Sequence, residues 1–403
     1  MLYAVPEPDL EDRAVLDEVH EMRARLGGRL RAPRRWLGGL RRTTQALAIQ
    51  GSNTIEGYTV TDDDALAAVD DEQPLSADER TWVEIVGYRR VLTYIVQMSG
   101  DPAFQLDAQT LRSLHFMLLE HDLTKRPGRY RDRAVYVMRE SDGRVMYEGP
   151  DSDRVPALVD ELVESPSSEA LAHDDAMVRA AMAHLNLVMI HPFHDGNGRM
   201  ARAVQTLLLA QDRVLEPEFA SIEEWLGRNT VDYYNVLSAT GRGHWSPHND
   251  AHAWLKFNLR AHHMQAQTLR RRIEEADLIG AHVLDLIREA GLPERTFDPL
   301  FDSARGLRVR RPTYVKRSGI EERTATRDLK SLVDAGLLVA HGATRGRFYT
   351  ASGRLLAVRN ETRHQRKPLD DPYPWLIDEI TKTARQERAL LRQEGRPSRR
   401  AVD

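Results

Sequence analysis

Between residues 176 and 190, apolar side chains recur at Met177, Ala180, Ala181, Leu185 and Val188 with His184 beside them, a spacing that predicts a largely buried helix. Pro192 disfavours helical geometry at the residue before it, so a turn is expected to begin near His191. The helical pattern resumes at Met200 and runs to Arg213 through Val204, Leu207, Leu208 and Leu209. In between, Asp195-Gly196-Asn197-Gly198 is loop chemistry, since glycine and asparagine tolerate positive φ and let backbone N–H groups converge. Upstream, residues 41–57 read as a helix closed by Gly57, and residues 2–40 as amphipathic, arginine-rich helical packing. Two β-rich runs, 134–138 and 144–147, flank Asp142-Gly143 and read as an isolated hairpin with exposed edges.

The chemistry gathers where the first two helices meet. A glycine-rich loop opening onto a helix N-terminus offers free N–H groups and the positive end of the macrodipole, which suits phosphate. Arg199 and Arg202 lie in the first turn, where each opposes the dipole by about 0.3–1 kcal/mol. An anion held between them would offset that cost, and their i, i+3 spacing puts both on one face. Asp195 is a hard oxygen ligand suited to Mg²⁺ shared with phosphates. His191 has a reference pKa near neutrality and can take up a proton at pH 7.

The string His191-Pro-Phe-His-Asp-Gly-Asn-Gly-Arg-Met-Ala-Arg202 resembles the Fic (Fic/Doc) motif HPFx[DE]GNGRxxR at every defined position. The resemblance implies a mainly α fold and an enzyme that transfers AMP from ATP to a Ser, Thr or Tyr hydroxyl of a target protein, with Mg²⁺. It makes His191 the base, Phe193 the loop's apolar anchor, Asp195 the metal ligand, and Gly196, Asn197 and Gly198 the anion hole. Arg199 would hold the α/β-phosphates and Arg202 the γ-phosphate.

Ser52-Asn53-Thr54-Ile55-Glu56-Gly57 is similar to the inhibitory motif [ST]xxxE[GN] of the same family. Ser52 and Glu56 share a helix face, and a carboxylate in a last helical turn needs a compensating cation. The resemblance supplies Arg202 as that cation, which makes the enzyme autoinhibited. It also implies that the hairpin, preceded by Pro127-Gly128-Arg129-Tyr130-Arg131, is a flap (134–147) on which the target docks as an added strand. Residues 223–229 with Tyr233-Tyr234 resemble the helix lining the nucleotide pocket, with Asn229 as the adenine or ribose contact. Removal of AMP, or transfer from another nucleotide, stays open, as does self-modification.

Length and composition frame this reading. At 403 residues the chain exceeds one ~150-residue domain. The divisions expected are an N-terminal helical region (1–100), a catalytic core (101–262), a linker helix with a basic module (263–352) and a charged tail (353–403). Zero cysteines exclude disulfides and thiol catalysis. No apolar run approaches the ~20 residues of a membrane span, and no signal-like N-terminus is present, so cytoplasmic residence is expected. The net charge is −4, yet residues 306–352 hold ten Lys plus Arg against four Asp plus Glu, a local +6 against −10 elsewhere. Within that stretch, helices over 312–318 and 323–335 precede a hairpin of 337–341 and 347–350, a pattern that looks like a winged helix-turn-helix. Such a unit fits DNA or protein contact, homodimerisation included. It also admits a DNA-binding regulator whose core only senses ATP.

Overall fold

The computed structural model describes residues 1–138, 145–165, 175–343, 346–364 and 366–393. The Asp142-Gly143 turn and the tip of the basic hairpin lie outside these residues. The N-terminal helices are α1 (Leu10–Arg31), α2 (Leu37–Ile55), α3 (Asp62–Val69), α4 (Glu79–Met98) and α5 (Ala108–Leu119). Strands β1 (Tyr136–Met138) and β2 (Val145–Glu148) follow. Then come α6 (Val155–Glu164), α7 (Ala176–Ile190), α8 (Asn197–Gln211), the short α9 (Pro217–Ala220) and α10 (Glu223–Arg228). The chain continues through α11 (Thr230–Gly241), the 38-residue α12 (His252–Glu289) and α13 (Phe297–Ala304). It closes with β3 (Val309–Arg310), α14 (Arg311–Ser318), α15 (Glu322–Asp334), β4 (Leu338–His341), β5 (Phe348–Ala351), α16 (Gly353–His364) and α17 (Leu376–Gln393).

Helices α7 and α8 form the central hairpin, and α7 is buried on nearly every side, as its all-round apolar sequence requires. One apolar cluster packs Leu187, Phe193, Met200 and Val204 against α4, α5 and α6; the other packs Met182, Leu185 and Leu209 against α11, α12 and the C-terminal half. Helix α8 starts three residues earlier than the apolar pattern predicts. Gly196, left-handed at φ 76°, turns the chain in so short a space that helix geometry begins at Asn197.

Helix α2 crosses α10 with no side chain between them at the crossing. A Cβ on Gly51 would fall on the Glu223 backbone, and one on Gly227 would fall on Gly51. Residues 2–40 are not one helical run, because Pro33 separates α1 from α2. The division expected at 262/263 falls inside α12, which runs unbroken across it.

The basic stretch folds as two helices and a three-stranded antiparallel sheet of order β3-β5-β4. Much of its charge faces inward. Arg308 pairs with Asp63, Arg310 with Glu72 and Arg317 with Asp302, while Lys316 donates to the Asp70 carbonyl, so the unit is seated on acidic α3 and its flanks. The tail is anchored as well. Arg260 grips Asp371 through two hydrogen bonds of 2.8 and 2.7 Å, and the Tyr373 hydroxyl donates to fully buried Asp12. Asp9, Asp12 and His252 converge at the same place, but the Lys256 ammonium already lies 2.9 and 2.8 Å from the two carboxylates and supplies the cation there. No helix among the described residues is long and apolar enough to cross a membrane.

Candidate active site

His191 ends α7 in the left-handed conformation, φ 52°. Its Nδ1 lies 3.1 Å from the Val188 carbonyl, which can only accept, so Nδ1 carries the proton and Nε2 keeps its lone pair. Burial pushes the imidazole below its usual pKa range, while the Val188 carbonyl and Glu56 pull the other way. A neutral ring with a bare Nε2 is the form a general base requires.

Arg131 fixes this residue in place. Buried to 3% exposure, its guanidinium donates to the carbonyls of His191 (2.8 Å), Arg133 (2.9 Å) and Pro150, and its own N–H donates to the Pro192 carbonyl. One residue therefore joins the end of α7 and both sides of the hairpin through its side chain, and the loop through its backbone. The hairpin is less isolated than its sequence suggests. Glu148 exchanges backbone hydrogen bonds with Gly243 and Trp245, so the outer edge of β2 is partly paired and β1 is left as the open edge, with Tyr136 42% exposed.

The loop after His191 is held from within. Phe193 stacks on the His115 ring at 3.7 Å, and the Asn197 side chain exchanges two 2.9 Å hydrogen bonds with the Phe193 backbone. Asn197 therefore shapes the loop through its side chain while its own N–H lies at the start of α8. His115 accepts from Gly128 N–H at Nδ1 and donates from Nε2 to the Asp195 carbonyl; burial lowers its pKa to about 4, which keeps it neutral. No side chain caps the N-terminus of α8.

The two arginines diverge although they share a helix face. Arg202 donates to Ser52 Oγ (2.8 Å), the Ser52 carbonyl (3.0 Å) and Glu56 Oε1 (2.6 Å). Arg199 pairs instead with Glu84 of α4 at 2.6 Å. Both guanidiniums are 1% exposed, and each keeps a buried nitrogen without a protein partner, Nε of Arg199 and Nη1 of Arg202. Gly198 lies beneath this pair. A Cβ there would collide with Glu56 Oε1, so any side chain at that position would have to push the carboxylate aside.

Asp195 accepts from Gly196 N–H at 2.6 Å and from Lys125 Nζ at 2.8 Å. Burial disfavours its charge, but the Lys125 hydrogen bond and Arg199 outweigh that and hold the carboxyl below the usual range. Asn229 caps no helix with its side chain; its Nδ2 donates to the Trp225 carbonyl at 2.7 Å. Nearby Tyr234 donates to the Ile55 carbonyl and so fastens the end of α2. Sequence reasoning missed Glu84, Lys125 and His115, which lie 70 to 115 positions from their partners in and after the loop, Arg199 and Asp195; Arg131 was legible only as the last letter of the string before the hairpin.

Residues 105–209 match the Fic/DOC family. The chain carries a Fic domain. Among curated relatives it is 26% identical over 250 residues to the protein adenylyltransferase Fic of Nematostella vectensis, covering 60% of this chain and 53% of that protein. It is 25% identical over 238 residues to protein adenylyltransferase fic-1 of Caenorhabditis elegans, covering 59% and 44%. The chain thus spans about half the length of the curated relatives it matches. Among solved structures, a Fic family protein from Desulfovibrio desulfuricans G20 superposes with a TM-score of 0.53 at 22% identity, covering 87% of this chain and 98% of that one. Fic-1 (residues 134–508) from C. elegans superposes at 0.51 with 22% identity, covering 65% and 71%. The mainly helical Fic fold is therefore shared well beyond the matched segment.

Proposed function

We propose that this chain transfers AMP from ATP to a hydroxyl of a target protein, and that Glu56 restrains the reaction. One observation carries the reading: a base with a bare Nε2 adjoins an uncapped helix N-terminus flanked by two buried arginines, each with a nitrogen still to be satisfied. Buried orphan donors of this kind cost free energy unless a ligand accepts from them. A polyphosphate fits them by charge and by number of acceptors.

The groups act in sequence. Asp195 would hold Mg²⁺, which when bound neutralises charge on the α- and β-phosphates. Arg199 and the N–H groups of residues 196–198 orient the α-phosphate, and Arg202 receives the γ-phosphate. His191 Nε2 takes the proton of the target hydroxyl as its oxygen forms a bond to the α-phosphorus. The bond from that phosphorus to the bridging oxygen breaks, and pyrophosphate leaves in line. Glu56 opposes the third of these contacts, since it occupies Arg202 and repels an incoming phosphate. The name shared by the curated relatives, protein adenylyltransferase, supports the transfer.

Intact-mass measurement after incubating wild type, Glu56→Gly and Glu56→Gly/His191→Ala with ATP, Mg²⁺ and candidate targets tests the proposal. A gain of one AMP per modified hydroxyl, lost when His191 is removed, is expected. Modification that persists without His191, or none with Glu56→Gly, would overturn it.

A further inference from the structure

The two carboxylates that face the loop arginines do different work, and the one on Arg199 leads to a further residue. Glu84 is 2% exposed and receives three donors, Arg199 Nη1 at 2.6 Å, Lys125 Nζ at 2.7 Å and the Tyr58 hydroxyl at 3.2 Å, with His121 Nε2 3.3 Å away. Lys125 then reaches 2.8 Å to Asp195. The result is an unbroken line of alternating charge, Asp195, Lys125, Glu84, Arg199, along the mouth of the phosphate loop.

Both oxygens of Asp195 are thereby engaged, one by its own loop N–H and one by an ammonium. A divalent ion needs a carboxylate oxygen at about 2.0–2.1 Å, and an ammonium at hydrogen-bond distance on that oxygen competes for the same lone pairs and the same negative charge. Glu84 gives the lysine somewhere to remain. Its bond to Lys125 is independent of Asp195, so the ammonium can release Asp195 and stay paired within the buried site.

The geometry points to Lys125 as an intramolecular competitor for the metal position at Asp195, with Glu84 as the group that retains it when the metal enters. The inference rests on the reading of Asp195 as the metal ligand. It sets a threshold on metal occupancy that is separate from the contest of Glu56 for Arg202, and it makes Lys125 a positioning residue rather than a catalytic one.

The test is Mn²⁺ binding to the full chain in the presence of ADP, followed by electron paramagnetic resonance. ADP lacks the γ-phosphate and so avoids Glu56. Lys125→Met should bind Mn²⁺ roughly tenfold more tightly than wild type, the effect of removing one charge-assisted competitor, while metal-free ADP binding in EDTA stays unchanged. Equal or weaker Mn²⁺ binding in Lys125→Met, in a variant with wild-type circular dichroism, would overturn the inference. Loss of metal-free ADP binding would overturn it too, because it would make Lys125 a phosphate ligand. Asp195→Asn separates the two levels. If it binds Mn²⁺ as wild type does, the metal assignment itself fails, whatever Lys125 does.

Discussion

Glu56 Oε1 stands 2.6 Å from Arg202 Nη2, across 146 residues of chain, and the same guanidinium is fixed by both oxygens of Ser52. The arginine proposed to receive the γ-phosphate is thus held by two residues of one helix end. Replacing Glu56 with Gly removes the negative partner and leaves Ser52 to orient the guanidinium. Transfer of label from α-labelled ATP should rise by about tenfold or more, the scale of one charge-assisted contact. Equal rates side by side would remove the restraint from the account.

Gly198 reports on the same contact from beneath. In the wild type, Gly198→Ala forces a Cβ against Glu56 Oε1 and should cost about 1–3 kcal/mol. In the Glu56→Gly background the obstacle is gone and most of that cost should vanish, a coupling that a double-mutant cycle in urea measures directly. Additive costs would mean the carboxylate is not seated where the structure puts it.

With His191 as the proposed base, protonation of its Nε2 should set the acid limb of the transfer. Because burial holds the imidazole below its ordinary value, the base form persists as pH falls, and kcat/KM of the Glu56→Gly variant should decline only below about pH 6.5. A midpoint above 7 would show that another group limits the rate.

Glu84 should matter for stability as well as for the loop. Removing it as Glu84→Ala leaves buried Arg199 and half-buried Lys125 with one fewer counter-charge, a loss of about 3 kcal/mol, set mainly by Arg199. Burial opposes the ionisation of Glu84, but Arg199 and Lys125 outweigh it and bring its pKa from 4.5 to about 2. Its contribution is therefore full above about pH 4.5 and is lost as pH falls through about 2. Denaturant unfolding should give the variant the same deficit at pH 5 as at pH 8; a deficit that shrinks across that range would contradict the pairing.

Arg131 offers a test of positioning. Lysine keeps the charge but cannot span the carbonyls of His191, Arg133 and Pro150, so Arg131→Lys should lower kcat in the Glu56→Gly background about tenfold with KM for ATP little changed. A change confined to KM would place Arg131 on the nucleotide instead.

What could be read in advance follows from how local each signal is. Helix α7, the break before Pro192 and the left-handed Gly57 are each written within a few neighbouring residues, and the structure has them where the pattern puts them. The glycine-rich turn into α8 was legible for the same reason. Glu84 and Lys125 were not, because one Glu on an amphipathic helix and one Lys in a polar turn carry no periodicity that names a partner far along the chain. The surplus charge of residues 306–352 was plain in the sequence, but its direction was not. A count of lysines and arginines cannot tell that Arg308, Arg310 and Lys316 turn back onto α3. The Asp371-Pro-Tyr-Pro-Trp375 tail had no readable role until Asp12 and Arg260 were found at its other end.

The crossing of Gly51 over Gly227 limits how the proposed restraint by Glu56 could be lifted. Two backbones in direct contact leave no gap into which α2 could tilt, so the helix has no hinge at that level. Any movement that parts Glu56 from Arg202 would have to begin one residue later. Unwinding residues 52–57, about one and a half helical turns, would free Arg202 while the rest of the helix stays buried. An activating partner would then need to stabilise only a melted helix end, well short of the work of prising the N-terminal region off the core.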